Sequence, residues 1–307
     1  MKRSLAALGI FICLFLNGIL PSHAQFNDLR FPQLPAEADK YKKNKIKMEV
    51  RYQVVEGSEV PYETRTFDKE GRVTGVISKS SKRIYYYDNK GRVISAIDSS
   101  KGQRPPKQIF EFIYDSTGYL SYVNSPVGRS SLGYNPSRFQ LEEHHLNVLD
   151  ENLIRLYQFD VKNRLIEETF YSAIGEVEKY HRLYYNEQGR IASEIYSSYN
   201  IDHSYDTARY IYTYNAKGQL ITRNNERIHT VIAFEDDSRT VTTSRQVIQY
   251  AYDTLGNLSK ETSSGTLPEY NYSRARQYDV NQMLHKELVY DGDGNLLAGY
   301  IYKYTGY

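Results

Sequence analysis

One short pattern recurs from residue 67 to the end of the chain: an aromatic, Asp or Asn, two free positions, glycine, one free position, then an aliphatic. It reads Phe67-Asp68…Gly71…Val73, Tyr87-Asp88…Gly91…Val93 and Tyr114-Asp115…Gly118…Leu120. It returns as Phe159-Asp160…Asn163…Leu165, Tyr185-Asn186…Gly189…Ile191 and Tyr214-Asn215…Gly218…Leu220. The last copies are Tyr252-Asp253…Gly256…Leu258, Tyr278-Asp279…Leu284 and Tyr290-Asp291…Gly294…Leu296, with weakened versions at Tyr134-Asn135 and Phe234-Glu235. Self-similarity of this kind governs the fold, because each unit is too small to bury a face alone. Most copies lie 18 to 29 residues apart and the final pair only 12 apart, a spacing that suits hairpins with variable back loops.

The motif has a direct physical reading as a turn. Asp or Asn opens a type I turn by accepting backbone N–H groups ahead of it, and glycine three positions on takes the left-handed conformation that completes a G1 bulge. Asp88, Gly91, Asp115, Gly118, Gly189, Gly218, Asp253, Gly256 and Gly294 are therefore structural turn residues. Asn163 is a tolerant substitute for glycine, whereas Gln282 makes its turn less secure. The geometry sets Tyr87 across from Val93 and Tyr214 across from Leu220, and such pairs contribute roughly 0.2–1 kcal/mol each. Strand alternation puts Tyr85, Phe112, Tyr157, Leu183, Tyr212, Tyr250, Leu288 and Tyr302 on one face, which is the expected packed face. The other face, with Tyr86, Ile113, Gln158, Tyr184, Thr213, Ala251, Val289 and Lys303, is mixed. The expected fold is all-β: repeated antiparallel hairpins forming one extended, curved or coiled sheet, whose open edges invite pairing.

Tyr87-Asp88-Asn89-Lys90-Gly91-Arg92-Val93 and Tyr185-Asn186-Glu187-Gln188-Gly189-Arg190-Ile191 resemble the unit of the YD-repeat (Rhs-like) family, Tyr-Asp-x-x-Gly-Arg-Leu. The resemblance covers residues 60 to 307. It implies a long β-strip that coils; large members are similar to hollow shells around a toxin segment. About ten hairpins at roughly 4.8 Å per strand give a strip on the order of 100 Å. The expectation is a short relative without a toxin tail to enclose.

The N-terminus reads as an export signal: Lys2 and Arg3, an apolar run from Leu5 to Leu16, Pro21, then Ser22-His23-Ala24 before a cleavage site. About twelve apolar residues are too few to span a bilayer, which needs about 20. The expected division is a signal peptide over 1–24, an exposed leader or linker over 25–49, and a YD-repeat β domain over 50–307. Its weakest stretch is 129–152, where a helical turn or long loop is expected to interrupt the sheet. Cys13 lies in the signal, so disulfides and thiolate chemistry are not expected in the exported part. Without residues 1–24 the 39 basic residues fall to 37, equal to the 37 acids, so no overall field steers the protein to nucleic acid. The basic run Lys40, Lys42, Lys43, Lys45 and Lys47 reads as a solvated lead-in to the first strand.

No residue pattern assigns a catalytic role. Asp291, Asp293 and Asn295 imitate the start of a calcium loop, but Leu296 and Tyr302 occupy the places of its glycine and glutamate. The run Glu142-Glu143-His144-His145 alternates between faces on a strand, so it cannot converge on one metal ion. There is no nucleophile elbow, phosphate loop or nucleotide fingerprint. Tyr86 and Tyr184, on the mixed face, are the candidate exposed aromatics for ligand contact. The sequence points to a non-enzymatic exported protein, periplasmic, cell-surface or extracellular, with no cofactor or metal and no transmembrane segment. Its expected partner is a protein or glycan; the alternatives are an accessory relative of toxin shells and a glycan-active enzyme.

Overall fold

The computed structural model describes residues 35–100, 107–116, 120–125, 128–135, 140–146, 151–172, 174–199, 204–232 and 238–307. Helix α1 (Pro35–Lys43) leads into β1 (Ile46–Val55), β2 (Ser58–Phe67), β3 (Val73–Ser78), β4 (Ser81–Tyr87) and β5 (Val93–Ser100). Next come β6 (Gln108–Tyr114), β7 (Leu120–Ser125), β8 (Gly128–Asn135), β9 (Gln140–Leu146) and β10 (Glu151–Phe159). The chain continues through β11 (Leu165–Tyr171), β12 (Val177–Tyr185), β13 (Ile191–Tyr199), β14 (Tyr205–Tyr214) and β15 (Leu220–Ile232). The last strands are β16 (Arg239–Tyr252), β17 (Leu258–Gly265), β18 (Tyr272–Tyr278), β19 (Leu284–Asp291) and β20 (Leu296–Gly306). No helix among the described residues is long and apolar enough to cross a membrane.

The motif turns form as their chemistry requires. Gly91 N–H donates to Asp88 O at 3.0 Å, and Asp88 N–H donates to Arg92 O at 2.9 Å. Asp88 Oδ1 accepts the N–H groups of Lys90 and Arg92, both at 2.9 Å. Gly91 has φ of 81°, a conformation in which an L side chain is strained. Asn163 takes the glycine place with φ of 59°. Gln282 does the same with φ of 60°, and its turn closes through Gln282 N–H to Asp279 O at 2.9 Å, so this turn is as complete as the others. Gly118 and the pair Phe234-Glu235 lie outside the described residues, while Asp115 follows β6 directly.

Each strand pairs antiparallel with its successor, and β20 pairs with β1 over Ile46↔Gly306 to Val54↔Gly299. The expected open strip is thus a closed 20-stranded barrel without edges. The reason is a constant stagger. In every unit, the residue two before the motif aromatic lies in register with the residue four before the next aromatic. Tyr85 aligns through Ala96 with Phe110, and Tyr157 through Glu168 with His181. Tyr250 aligns through Glu261 with Arg274, and across the seam Tyr302 aligns through Arg51 with Glu63. Ten units of two residues give a shear equal to the number of strands. That ratio implies a strand tilt of about 35° and, for a circular section, a diameter of about 37 Å between opposite backbones. The 100 Å strip has become a circumference.

Two other expectations are corrected. The described residues of 129–152 are strand, β8 pairing with β9 and β9 with β10, with Leu132 and Leu141 supplying strand pattern despite the damaged motif; residues 136–139 and 147–150 lie outside the described residues. Of the expected leader 25–49, residues 25–34 lie outside the described residues, and the later part is not wholly exposed, since Tyr41, Ile46 and Glu49 are buried. The Tyr41 ring stacks on Phe67 with centroids 4.0 Å apart, and its hydroxyl donates to Glu49 at 2.5 Å. Tyr41, Ile46, Phe67 and Met283 form one buried cluster, with Val73 and Tyr304 against it. Asn44 reaches Met283 Sδ, Lys40 sits over the Tyr278 ring, and Tyr307 N–H donates to Lys45 O. Helix α1 therefore fastens the seam where β20 meets β1. Among the described residues the second apolar cluster, Ala96, Phe112 and Val123, lies on β5 to β7.

The seam cluster makes a prediction. Tyr41→Ala should cost about 3 kcal/mol by emptying a buried aromatic site, whereas Tyr41→Phe should cost about 1 kcal/mol. Urea denaturation of both variants measures the difference; equal losses would show that the hydroxyl, not the stack, holds the seam.

Candidate functional site on the inner wall

A closed sheet has one concave face, and burial identifies it. Phe112, Tyr157, Leu183 and Tyr302 are buried, whereas the alternate residues Tyr86 and Tyr184 are 47 % and 48 % exposed. The expected packed face is the inner wall, with one exception. On β19 the inward residues are Glu287 and Val289, so Leu288 and Tyr290 point outward with Lys286. The 12-residue spacing explains this: it spans one strand instead of two and puts the Asp291 turn at the opposite rim. Tyr171-Ser172…Gly175…Val177 is a further turn on that rim, missed because serine replaces the acid. Gly175 N–H donates to Ser172 O at 3.0 Å, and Ser172 Oγ accepts from Glu176 N–H at 3.1 Å.

At the motif rim the tyrosines join one unit to the one before it. Tyr87 OH donates to Val73 O at 2.6 Å, Tyr114 to Val93 O at 2.8 Å, and Tyr185 to Leu165 O at 2.7 Å. Tyr214, Tyr252, Tyr278 and Tyr304 repeat the contact to Ile191, Leu220, Leu258 and Leu284. In each of these seven contacts the acceptor is the motif aliphatic of the preceding unit on the same rim. Desolvation raises the hydroxyl pKa of Tyr114 to about 12 and also raises those of Tyr185, Tyr214, Tyr252, Tyr278 and Tyr304, so these remain donors near neutral pH. The arginine after glycine covers the ring from above: Arg92 lies 4.2 Å from the Tyr114 centroid and Arg164 4.2 Å from that of Tyr185. The same arginines are held by the turn acids, as in Arg92 Nε to Asp88 Oδ2 at 2.7 Å. The turn aspartates are accordingly structural, including Asp253 and Asp291, whose Oδ1 atoms accept two backbone N–H groups each.

Deeper in the wall lies a row of carboxylates that sequence reading missed. Nine positions after the motif aromatic stand Glu143, Glu168, Glu194, Glu261 and Glu287, all on the inner face. The signal was present as aliphatic-x-x-Glu after the turn, in Leu165…Glu168, Ile191…Glu194, Leu258…Glu261 and Leu284…Glu287. A buried carboxylate needs partners, and the neighbouring strands supply them. Arg155 lies between Glu143 at 3.8 Å and Glu168 at 3.5 Å. Arg276 Nε donates to Glu287 at 2.7 Å and lies 4.0 Å from Glu261, which also accepts Tyr272 OH at 2.9 Å. Glu194 accepts from His181 Nε2 at 2.8 Å, from Tyr196 OH at 3.3 Å, and from Tyr212 OH. Tyr196 also stacks on His181 with centroids 3.8 Å apart.

Environment separates these carboxyls. Burial pushes Glu168 upward against the opposing pull of Arg155. Burial acts the same way on Glu194, but the hydrogen bonds from His181 and Tyr212 outweigh it and hold that carboxyl below its usual value. These glutamates are each paired with cations or hydroxyls along the wall, and the tyrosines Tyr196, Tyr212 and Tyr272 are tied to them by hydrogen bonds. The Glu142–His145 run divides as alternation requires: Glu143 faces inward to Arg155, and Glu142 pairs outside with His144 Nε2 at 3.0 Å.

Tyr86 and Tyr184 are both on the convex face as expected, but the ring does not bring them together. They stand on β4 and β12, eight strands apart, roughly 38 Å along the wall at 4.8 Å per strand.

No family model matches the chain, and no curated protein matches it. A search of solved structures finds the TcdB2-TccC3-TEV crystal structure at 15 % identity and TM-score 0.28, covering 86 % of this chain and 17 % of that one. It also finds a porin-like protein from Bacteroides vulgatus at 13 % identity and TM-score 0.33, covering 69 % of this chain and 97 % of that one. The chain spans about a sixth of the length of the first.

The carboxylate row predicts a pH-dependent loss. A carboxyl whose folded pKa is depressed contributes stability above its unfolded pKa and loses it as pH falls through the folded value. Glu194→Gln should therefore cost about 2 kcal/mol at pH 7 and much less near pH 3. Chemical denaturation at the two pH values tests this; an equal cost at both would assign the effect to packing.

Proposed function

We propose that the protein is a non-enzymatic, exported YD-repeat barrel that presents its convex wall to a protein or glycan partner in the cell envelope. One observation carries the reading: Ile77, Tyr86, Ile109 and Ile113 on β3, β4 and β6 all point outward and are exposed, from 39 % to 47 %. Contiguous apolar surface of this kind marks interaction sites in soluble proteins. Ile84 and Ile97 lie in register between these strands and extend the patch. Other stretches of the convex wall mix exposed apolar residues such as Tyr184, Ile211 and Val247 with ion pairs such as Arg182–Glu167 at 2.6 Å and Arg245–Glu226 at 2.9 Å. The export signal read at residues 1–24 supplies the compartment. The absence of a catalytic role rests on the acid and base groups of the wall being engaged with each other.

Immobilised protein should capture a partner saturably from panels of purified envelope proteins and glycans. The double substitution Tyr86→Ser with Ile113→Ser should weaken that capture at least tenfold while leaving the thermal transition in place. Saturable binding to no panel member would overturn the reading, and binding unaffected by the double substitution would move it off this patch.

A further inference from the structure

Between β9 and β19 the carboxylate row is broken at one unit. Nine positions after Tyr214, where five other units place glutamate, this unit places Arg223. Register sets Arg223 between Tyr212 and Ile248 on the inner wall. The acids of the adjacent units are engaged elsewhere: Glu194 by His181 and Tyr212, Glu261 by Tyr272 and Arg276. Among the described residues no carboxylate forms an ion pair with Arg223, and its buried Nε has no hydrogen-bond partner. Its surroundings are tyrosines. Its guanidinium lies 5.9 Å from the Tyr210 ring, and its charge acts on the hydroxyls of Tyr212, Tyr250 and Tyr272.

The same strand supplies two more inward groups. Asn225 donates through Nδ2 to Gln246 Oε1 at 2.8 Å, while its buried Oδ1 accepts from no partner. Arg227 follows, flanked in register by the small residues Ala208 and Ser244 and hydrogen-bonded to the Tyr210 hydroxyl. Inward side chains along a strand are roughly 6.6 Å apart. Arg223, Asn225 and Arg227 are thus a cation, an open acceptor and a cation spread over about 13 Å.

We propose that this stretch of β15 is a lumenal binding site for an acidic saccharide, a sugar carrying a carboxylate. The guanidinium of Arg223 takes the carboxylate in a paired geometry, as arginine does for planar oxyanions. Asn225 Oδ1 accepts a sugar hydroxyl, which a bare phosphate could not offer when fully ionised. Tyrosine rings beside Arg223 give the apolar ring face of the sugar a surface. A second carboxylate one residue along the saccharide meets Arg227. The site is independent of the convex patch, since it lies on the opposite face of the sheet.

The test is isothermal titration of the full-length processed protein with trigalacturonate, its methyl ester, maltotriose and triglutamate. Trigalacturonate should bind, with affinity falling as salt rises. Arg223→Gln should weaken it at least tenfold, and Arg227→Gln should weaken it by a smaller factor. Arg223→Glu restores the carboxylate pattern of the row and should abolish binding with the thermal transition retained. The chain has no tryptophan, so a tyrosine difference spectrum on binding reports the ring contacts directly and should vanish for Arg223→Gln. Equal binding of the methyl ester or maltotriose, or no binding of trigalacturonate, would overturn the proposal. Triglutamate binding as tightly as trigalacturonate would overturn the saccharide assignment in favour of an acidic peptide. Each of these failures leaves the convex-wall reading standing, because a Tyr86→Ser, Ile113→Ser protein retains Arg223.

Discussion

The two-residue stagger between successive units is the constraint on which the barrel depends. It arises at the turn, where the G1 bulge puts two residues of one strand opposite one of the other and strengthens local twist. The tyrosine hydroxyl then fixes the next unit to the carbonyl of the motif aliphatic behind it, as Tyr214 does to Ile191 and Tyr252 to Leu220. One such bond contributes only about 1 kcal/mol. Its importance is geometric: a slip of one residue would turn every inward side chain outward, stranding Glu143 or Glu287 away from its arginine.

Much of this was legible in the chain. Tyr87 opposite Val93, the capping role of Asp88 and the left-handed glycines follow from local chemistry within seven residues, and the structure reproduces them. Closure was not legible. It depends on β1 pairing with β20 across roughly 250 residues of chain, and β1 carries no motif. The segment before it looked like a basic linker because Lys40, Lys42 and Lys43 dominate it, yet its one tyrosine is the group that seats on Phe67. Gln282 shows the limit of reading turns by residue preference: the flanking Tyr278 and Met283 contacts hold a left-handed glutamine in place.

The candidate sites divide in the same way. Alternation correctly put Tyr86 and Tyr184 on the exposed face, since side-chain direction is a local property. Their separation around the ring is a property of closure. The inner charges were hidden by a habit of reading the packed face as apolar. That rule holds on β5 to β7, where Ala96, Phe112 and Val123 meet. It fails on β9 to β19, where the wall uses Arg155, His181, Arg274 and Arg276 against its glutamates.

The two arcs follow from the width of the ring. A barrel of about 37 Å cannot fill its interior with side chains as an eight-stranded one does, so its inner face meets water unless neighbours on the same wall cover it. Large apolar residues covering one another achieve this on one arc, and arginines lying across glutamates and tyrosines achieve it on the other. The second solution demands that every charge find its complement along the wall, because a charge left alone in a half-buried setting is costly. A strand that departs from the rule, as β15 does with Arg223, therefore retains an unmet electrostatic demand. In a wall built by repetition, that departure is the position at which chemistry from outside the chain has something to supply.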